Sequence, residues 1–191
     1  MRRRVPDLSL RCPRCLLPPA HCLCPEVPRL RTRVDVLLLR HASERSRPTN
    51  TARWAALALA DARLLDYGLP SVPIDESPLR EPGTWVLFPG PHRSPPPEVP
   101  PRRLVVLDGT WAQARRMLQR LPALRTLPRL SLPAPARPRL RRPTVAGGMS
   151  TLEALAGALA LLGEPDAARS LERLHHAALV RVRQMRGAPC R

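Results

Sequence analysis

The chain reads as a mixed α/β domain preceded by a small metal-binding segment, and three observations carry that reading. Short apolar runs alternate with stretches of helical periodicity along most of the sequence. Four cysteines crowd into the first 24 residues. The length of 191 residues, with 43% hydrophobic content, is enough for one buried core. Charge adds a functional argument. Basic residues number 32 against 15 acidic ones, a net charge of +17, and because lysine is absent every basic side chain is an arginine. An excess of that size points to a polyanionic partner, nucleic acid first, against the alternative of a merely basic surface. Codon composition can favour arginine and the 26 prolines, but exchanging lysine for arginine leaves net charge unchanged.

No stretch of 18 apolar residues is present, so no membrane span is expected. The charged start MRRRVPDLSLRC lacks an apolar run behind it, which argues against a secretory signal and for a cytoplasmic protein. In a reducing compartment the cysteines are not expected to form disulfides. Cys12-Pro-Arg-Cys15 and Cys22-Leu-Cys24 give C-x2-C-x6-C-x-C, and four thiolates suit one tetrahedral Zn²⁺. A site with all four positions taken by sulfur is structural, and it supplies folding energy to a segment too short for its own core. The cramped C-x-C pair leaves His21 as an alternative ligand, and unliganded reduced cysteines as the other alternative. Residues 1–28 are therefore read as the zinc-binding segment and 29–191 as the main domain. Cys190 stands alone in the tail and has no assigned role.

Taking the elements in order, Val34 to Leu39 is a nearly continuous apolar run, as expected of a strand buried on both faces. Thr49-Asn50-Thr51 supplies a cap for a helix over Ala52 to Leu65, where Trp54, Leu57, Ala58, Leu64 and Leu65 recur at helical spacing. Trp85 to Phe88 is a second strand, stopped by Pro89-Gly90 and followed by a proline-rich loop from Pro91 to Pro101. Leu104 to Leu107 is a third strand that feeds Asp108-Gly109-Thr110-Trp111 and a helix from Ala112 to Arg120. Thr126 to Leu132 reads as another short strand and Pro133 to Pro143 as an arginine- and proline-rich loop. Ser150 with Glu153 forms a capping-box pattern before a helix over Leu152 to Leu162, and a last helix runs from Pro165 to Met185.

Open α/β sheets bind ligands at the carboxyl ends of their strands, which directs attention to two places. One is Asp108, where an acid, a hydroxyl and an indole meet a helix mouth. The other is the polar stretch His41, Glu44, Arg47, Thr49 and Asn50 after the first strand. Each has a bland competitor: Asp before Gly is a turn signal, Trp111 can be a core aromatic, and the polar stretch can be a capping loop. P-loop, dinucleotide-binding, zinc-protease and nucleophile-elbow signatures are all absent, so those chemistries are unsupported.

Taken together, C-P-R-C…H-C-L-C, R-H-A-S-E-R-S-R-P-T-N-T-A-R from Arg40 to Arg53, L-F-P-G from Leu87, L-D-G-T-W-A-Q-A-R-R-M from Leu107 to Met117, and S-T-L-E-A from Ser150 resemble the DTW-domain family, the tRNA-uridine aminocarboxypropyltransferases. The motifs span most of the chain, in order. The resemblance implies a SPOUT-like α/β fold, its sheet parallel or mixed, with a C-terminal trefoil knot whose loops hold S-adenosylmethionine. It also implies transfer of the 3-amino-3-carboxypropyl group to N3 of a uridine in tRNA, with methylthioadenosine released. Uridine N3 must lose a proton to become a nucleophile, and Asp108 is the candidate base, its proton affinity raised by burial beside Trp111. Thr110 and Trp111 shape the pocket.

By the same resemblance Leu87, Phe88, Pro89, Leu132, Ser150, Thr151 and Glu153 hold the cofactor. The candidates for RNA contact are Arg40, His41, Glu44, Arg47, Asn50, Arg53, Arg115 and Arg116, with Arg137, Arg139, Arg141 and Arg142 flanking the crevice. Cys12, Cys15, Cys22 and Cys24 are the metal ligands. The expected partner is tRNA; no membrane and no protein partner is inferred. Two other readings stay open, a SPOUT-type RNA methyltransferase using the same cofactor and a zinc-containing RNA-binding module without catalysis.

Overall fold

A computed structural model describes residues 8–89, 99–132, 149–185 and 187. Among the described residues five strands form one sheet: β1 (Asp35–His41), β2 (Arg63–Tyr67), β3 (Thr84–Leu87), β4 (Arg103–Asp108) and β5 (Arg129–Leu130). Their spatial order is β2-β1-β4-β3-β5, and every pairing is parallel. The α-helices described with them are α1 (Thr51–Ala58), α2 (Trp111–Arg120), α3 (Pro122–Thr126), α4 (Thr151–Leu161) and α5 (Pro165–Met185). Parallel strands need crossovers, and crossover helices cover both faces of a sheet.

Two apolar layers result. On one face Val36, Leu38, Leu104 and Val106 pack with Trp54, Ala55, Leu155, Leu159 and Leu171 from α1, α4 and α5. On the other, Leu37, Leu39, Val86 and Val105 meet Met117, Leu118 and Leu124 from α2 and α3. The alternation along β1 and β4 is that of strands buried on both sides, which is why the first strand reads as an unbroken apolar run. The cysteine segment joins the first layer: Cys15, Leu17 and Leu23 are buried there, and the Trp54 indole N–H donates to the Cys15 carbonyl at 3.0 Å.

Two expectations require correction. The helix expected over Ala52 to Leu65 ends at Ala58. Leu59 is extended and bridges Leu30, the Leu30 N–H donates to the Ala58 carbonyl, and Arg63–Tyr67 forms β2 along the edge of β1. The Leu64-Leu65 pair fits helical spacing, but the unpaired edge of a central strand offers it a full ladder, and tertiary pairing outweighs local propensity. The strand expected over Thr126 to Leu132 shrinks to Arg129–Leu130, because α3 occupies the preceding residues. Pro122 stands in the first turn of α3, where its missing N–H costs nothing, and Pro128 drives Leu127 out of the helical region, so α3 stops at Thr126. The remaining strands and helices agree with expectation to within a residue or two. The expected proline loops lie largely or wholly outside the described residues, as do Gly147, Gly148, Arg137, Arg139, Arg141, Arg142 and Cys190. Among the described residues no helix is long and apolar enough to cross a membrane.

Candidate active site

Because all five strands run the same way, their carboxyl ends share one edge. Along it stand Tyr67 at the end of β2, His41 at the end of β1, Asp108 at the end of β4 and Phe88 just after β3. Asp108 is only 4% exposed and points into the layer shared with α1 and α4. Its Oδ2 accepts from Asn50 Nδ2 at 2.6 Å and its Oδ1 from the Thr151 hydroxyl at 2.6 Å. Asn50 is the N-cap of α1, where its Oδ1 accepts from the Arg53 N–H at 2.8 Å. One amide therefore caps a helix with its oxygen and holds the acid with its nitrogen. Thr151 is the first residue of α4, so Asp108 ties β4 to two helix mouths at once.

On the other side of the strand end, Thr110 is the N-cap of α2 and closes a capping box with Gln113: the Thr110 N–H donates to Gln113 Oε1 at 2.7 Å and the Gln113 N–H to Thr110 Oγ1 at 3.3 Å. Gln113 Nε2 then reaches Ser43 Oγ at 2.8 Å and His41 Nδ1 at 3.2 Å. Burial and the nearby Arg116 guanidinium both hold the His41 imidazole below its ordinary pKa. Trp111 stacks on Phe88 with ring centroids 5.1 Å apart and planes 10° from parallel, and Arg129 lies over the same Phe88 ring at 6.0 Å. Close approach is built into this corner. A Cβ on Gly109 would come within 3.0 Å of Gln113 Oε1 and 3.4 Å of His41 Cβ.

The residues expected at the cofactor lie at the ends of β3 and β5 and at the start of α4. Leu87 and Phe88 are buried, Pro89 is exposed, and the Ser131 hydroxyl donates to the Phe88 carbonyl at 3.3 Å, joining the ends of β3 and β5. Leu132 lies against α4, 3.4 Å from where a Cβ on Gly157 would sit. Ser150 and Glu153 form the capping box of α4, and behind it the buried His175 approaches Ser150 Oγ at 3.4 Å and Glu153 at 3.8 Å. Burial pushes the His175 pKa down, against the pull of Glu153.

Among the residues expected to meet RNA, three are buried and held by other side chains. Arg40 is 4% exposed and makes a two-point pair with Asp66 at 2.7 and 3.1 Å; Glu44 is buried and pairs with Arg47 at 3.1 Å; Asn50 is spent on Asp108 and α1. They sit at the carboxyl ends of strands or at helix mouths, where polar side chains organise the site from within. Arg115 and Arg116 are exposed on α2, whereas His41, Arg47 and Arg53 are half-buried. Gln113, Ser43 and His175 carry site contacts that the sequence reading left without a role; the T-x-x-Q spacing was the available signal for Gln113.

The four cysteine sulfurs lie within 4.8 Å of one another, with Cys12–Cys24 at 3.6 Å and Cys15–Cys22 at 3.8 Å. Tetrahedral zinc with bonds of about 2.3 Å places its sulfurs about 3.8 Å apart, so the group fits that metal. His21 is not part of the cluster. Backbone N–H donors, chiefly that of Cys15, lower the Cys12 thiol to about 6, and burial, with the neighbouring thiols adding to it, raises Cys24 to about 12.

A parallel sheet whose carboxyl edge carries a buried acid between two helix mouths, beside an aromatic stack and a basic helix, defines an α/β protein of the open-sheet class, in which ligands are taken up over that edge. The sequence pattern of the DTW domain matches residues 9–183, and the chain belongs to that family. It is 30% identical over 186 residues, covering 90% of this chain and 74% of the relative, to tRNA-uridine aminocarboxypropyltransferase 2 of Drosophila melanogaster. It is 29% identical over 123 residues, 54% of this chain and 39% of the relative, to the protein of the same name from Mus musculus. No solved structure matches.

Proposed function

We propose that this protein is a tRNA-uridine aminocarboxypropyltransferase, moving the 3-amino-3-carboxypropyl group of S-adenosylmethionine to N3 of a uridine in tRNA. The observation that supports it best is the position of Asp108 within a family match that covers most of the chain. A new N3–carbon bond forms while the carbon–sulfur bond breaks, the sulfur keeps the electron pair as the thioether of methylthioadenosine, and the N3 proton passes to Asp108. Accepting from Asn50 and Thr151 fixes the direction of the carboxylate that takes the proton. Three carbons adjoin the sulfonium, and the one held in line at about 3–3.5 Å from N3 reacts. Regiochemistry is therefore a matter of placement.

Leu87, Phe88, Pro89, Leu132, Ser150, Thr151 and Glu153 form the wall for the cofactor. In this reading residues 29–191 are a SPOUT-like domain with a C-terminal trefoil knot. Residues 1–28 form a zinc segment in which Cys12, Cys15, Cys22 and Cys24 hold the ion. With four sulfurs it leaves no position for substrate, so its contribution is to stability. His41, Arg47, Arg53, Arg115 and Arg116 are the more accessible of the side chains expected to meet RNA, and the cytoplasm is the expected compartment.

The test is mass spectrometry of a reaction of the full chain with S-adenosylmethionine and unmodified tRNA. An aminocarboxypropyl uridine with methylthioadenosine is expected. A methylated nucleoside with S-adenosylhomocysteine would make the protein a methyltransferase of similar architecture, and tRNA binding with neither product would make it a binding module.

A further inference from the structure

We infer that His41 presents a fixed, uncharged Nε2–H to the acceptor uridine and donates it to a carbonyl oxygen flanking N3. The inference rests on the transferase reading above and adds a second group that touches the reacting base.

The argument begins at the cap of α2. The Thr110 N–H has only one role, to donate, and it donates to Gln113 Oε1 at 2.7 Å. That contact fixes which end of the Gln113 amide is oxygen, so the other end, facing His41 Nδ1 at 3.2 Å, is the NH₂. The Ser43 backbone N–H also points at Nδ1, at 3.2 Å. The Ser43 hydroxyl lies closest to Nδ1, at 2.9 Å, and because its oxygen already accepts from Gln113 Nε2 at 2.8 Å its own proton is the one turned to the ring. With two groups that can only donate beside it, that ring nitrogen carries the lone pair. In a neutral imidazole the proton is then on Nε2. Among the described residues, none accepts from Nε2. Protonating Nδ1 would set its proton against both donors, and burial and Arg116 oppose the charged ring as well. A capping box has thus selected a tautomer, and the tautomer leaves an N–H without a partner.

Its place is the reaction edge. Arg40 pairs with Asp108 in the β1–β4 ladder, so His41 is the next residue outward, level with Gly109, and the Gly109 geometry brings the two strand ends into contact. Alternation puts His41 on the opposite face of the sheet from Asp108, so a base that meets both lies across the strand ends. Tyr67 flanks the ring on its far side with centroids 6.2 Å apart. A phosphate would be served better by a cationic imidazole, and every feature of this cluster suppresses the cation. An uncharged carbonyl is the better match, because loss of the N3 proton spreads negative charge onto O2 and O4. A donor already in position then binds the transition state more tightly than the ground state. His41 moves no proton; the proton still goes to Asp108.

Two substitutions separate this role from a structural one. His41→Asn keeps an acceptor near the Nδ1 position for Ser43 and Gln113 but removes the outward donor. His41→Gln keeps a donor near the Nε2 position and gives up the inner acceptor. If His41 acts as proposed, His41→Asn lowers kcat by about 10²-fold with S-adenosylmethionine binding unchanged, and His41→Gln retains more activity than His41→Asn. The reverse order of the two variants makes His41 a structural residue and overturns the proposal. Two measurements on the wild-type protein stand even if a variant fails to fold. Long-range ¹H–¹⁵N correlation should report a neutral Nε2–H tautomer for His41, and an Nδ1–H tautomer overturns the assignment. With tRNA carrying sulfur at C2 or C4 of the acceptor uridine, sulfur being a poor acceptor, wild-type turnover should fall at one of the two positions, and by more than that of His41→Asn. No loss at either position overturns the carbonyl contact. A wild-type reaction with no aminocarboxypropyl product sinks the transferase reading and the uridine contact with it, while the tautomer result stands by itself.

Discussion

At the scale of single residues, Asp108, with Asn50 and Thr151 donating to it, decides what the site can do. Asp108→Asn keeps the shape of the side chain but cannot take the N3 proton, so turnover should drop by about 10²–10⁴-fold while S-adenosylmethionine binding, read by calorimetry, stays measurable. Unchanged turnover would remove Asp108 as the base. Asn50 offers a finer probe, because serine is as good an N-cap but has no amide to reach the acid. Asn50→Ser should therefore lower kcat more than it lowers melting temperature, and its effect should shrink when measured in the Asp108→Asn background. His175 gives a pH prediction of definite sign. Its folded pKa lies below the ordinary imidazole value, so the unfolded chain takes up a proton that the folded one resists. The stability it contributes is present above that ordinary value and lost as pH falls from it through the folded value. Thermal unfolding from neutral to mildly acidic pH should show that loss, and His175→Gln should flatten it.

At the scale of elements, the cysteine segment and the β1–β2 edge are where the fold depends on partners far along the chain. Removing zinc, or replacing Cys12 and Cys15 with serine, should release about one metal per chain and uncover Leu17 and Leu23, each worth about 1.5–3 kcal/mol of burial. Metal analysis alongside a melting curve checks both halves of that statement. At the other edge, Asp66→Ala strands the buried Arg40 guanidinium, and breaking such a pair costs about 3–5 kcal/mol. The same contacts show what was legible in the sequence. β1 and α4 announce themselves through an unbroken apolar run and a capping box, both local signals. β2 does not, since Arg63 to Tyr67 become a strand only because β1 has a free edge. Asp108 was legible as the acid ending a buried strand, whereas Asn50 looked like a helix cap available to RNA, because its second partner lies 58 residues away. Arg40 was one arginine among many until Asp66, 26 residues on, drew it inside.

At the scale of the whole molecule, a net charge of +17 makes binding of any polyanion favourable, so affinity alone says little about where tRNA sits. Salt dependence says more, because each phosphate contact releases counterions and adds to the slope of log K against log salt, by about 0.7 for single-stranded segments and about 0.9 for duplex. The structure divides the arginines into two kinds. Arg40 is inside and neutralised by Asp66, and Arg103 is held by Glu81 at 2.6 Å and by Asp35 at 3.4 Å, so neither is available to a phosphate. Arg115 and Arg116 are exposed on the helix that opens at the reaction edge. Replacing either of these two with alanine should reduce the slope by about 1, raise KM for tRNA and leave kcat at saturating tRNA near its starting value. Arg103→Ala should instead lower the melting temperature and leave the slope unchanged. Fluorescence titrations of tRNA at several salt concentrations separate the two classes. A slope insensitive to both Arg115 and Arg116 would move the phosphate track off α2, and the carboxyl edge would then receive its uridine from the opposite side of the sheet.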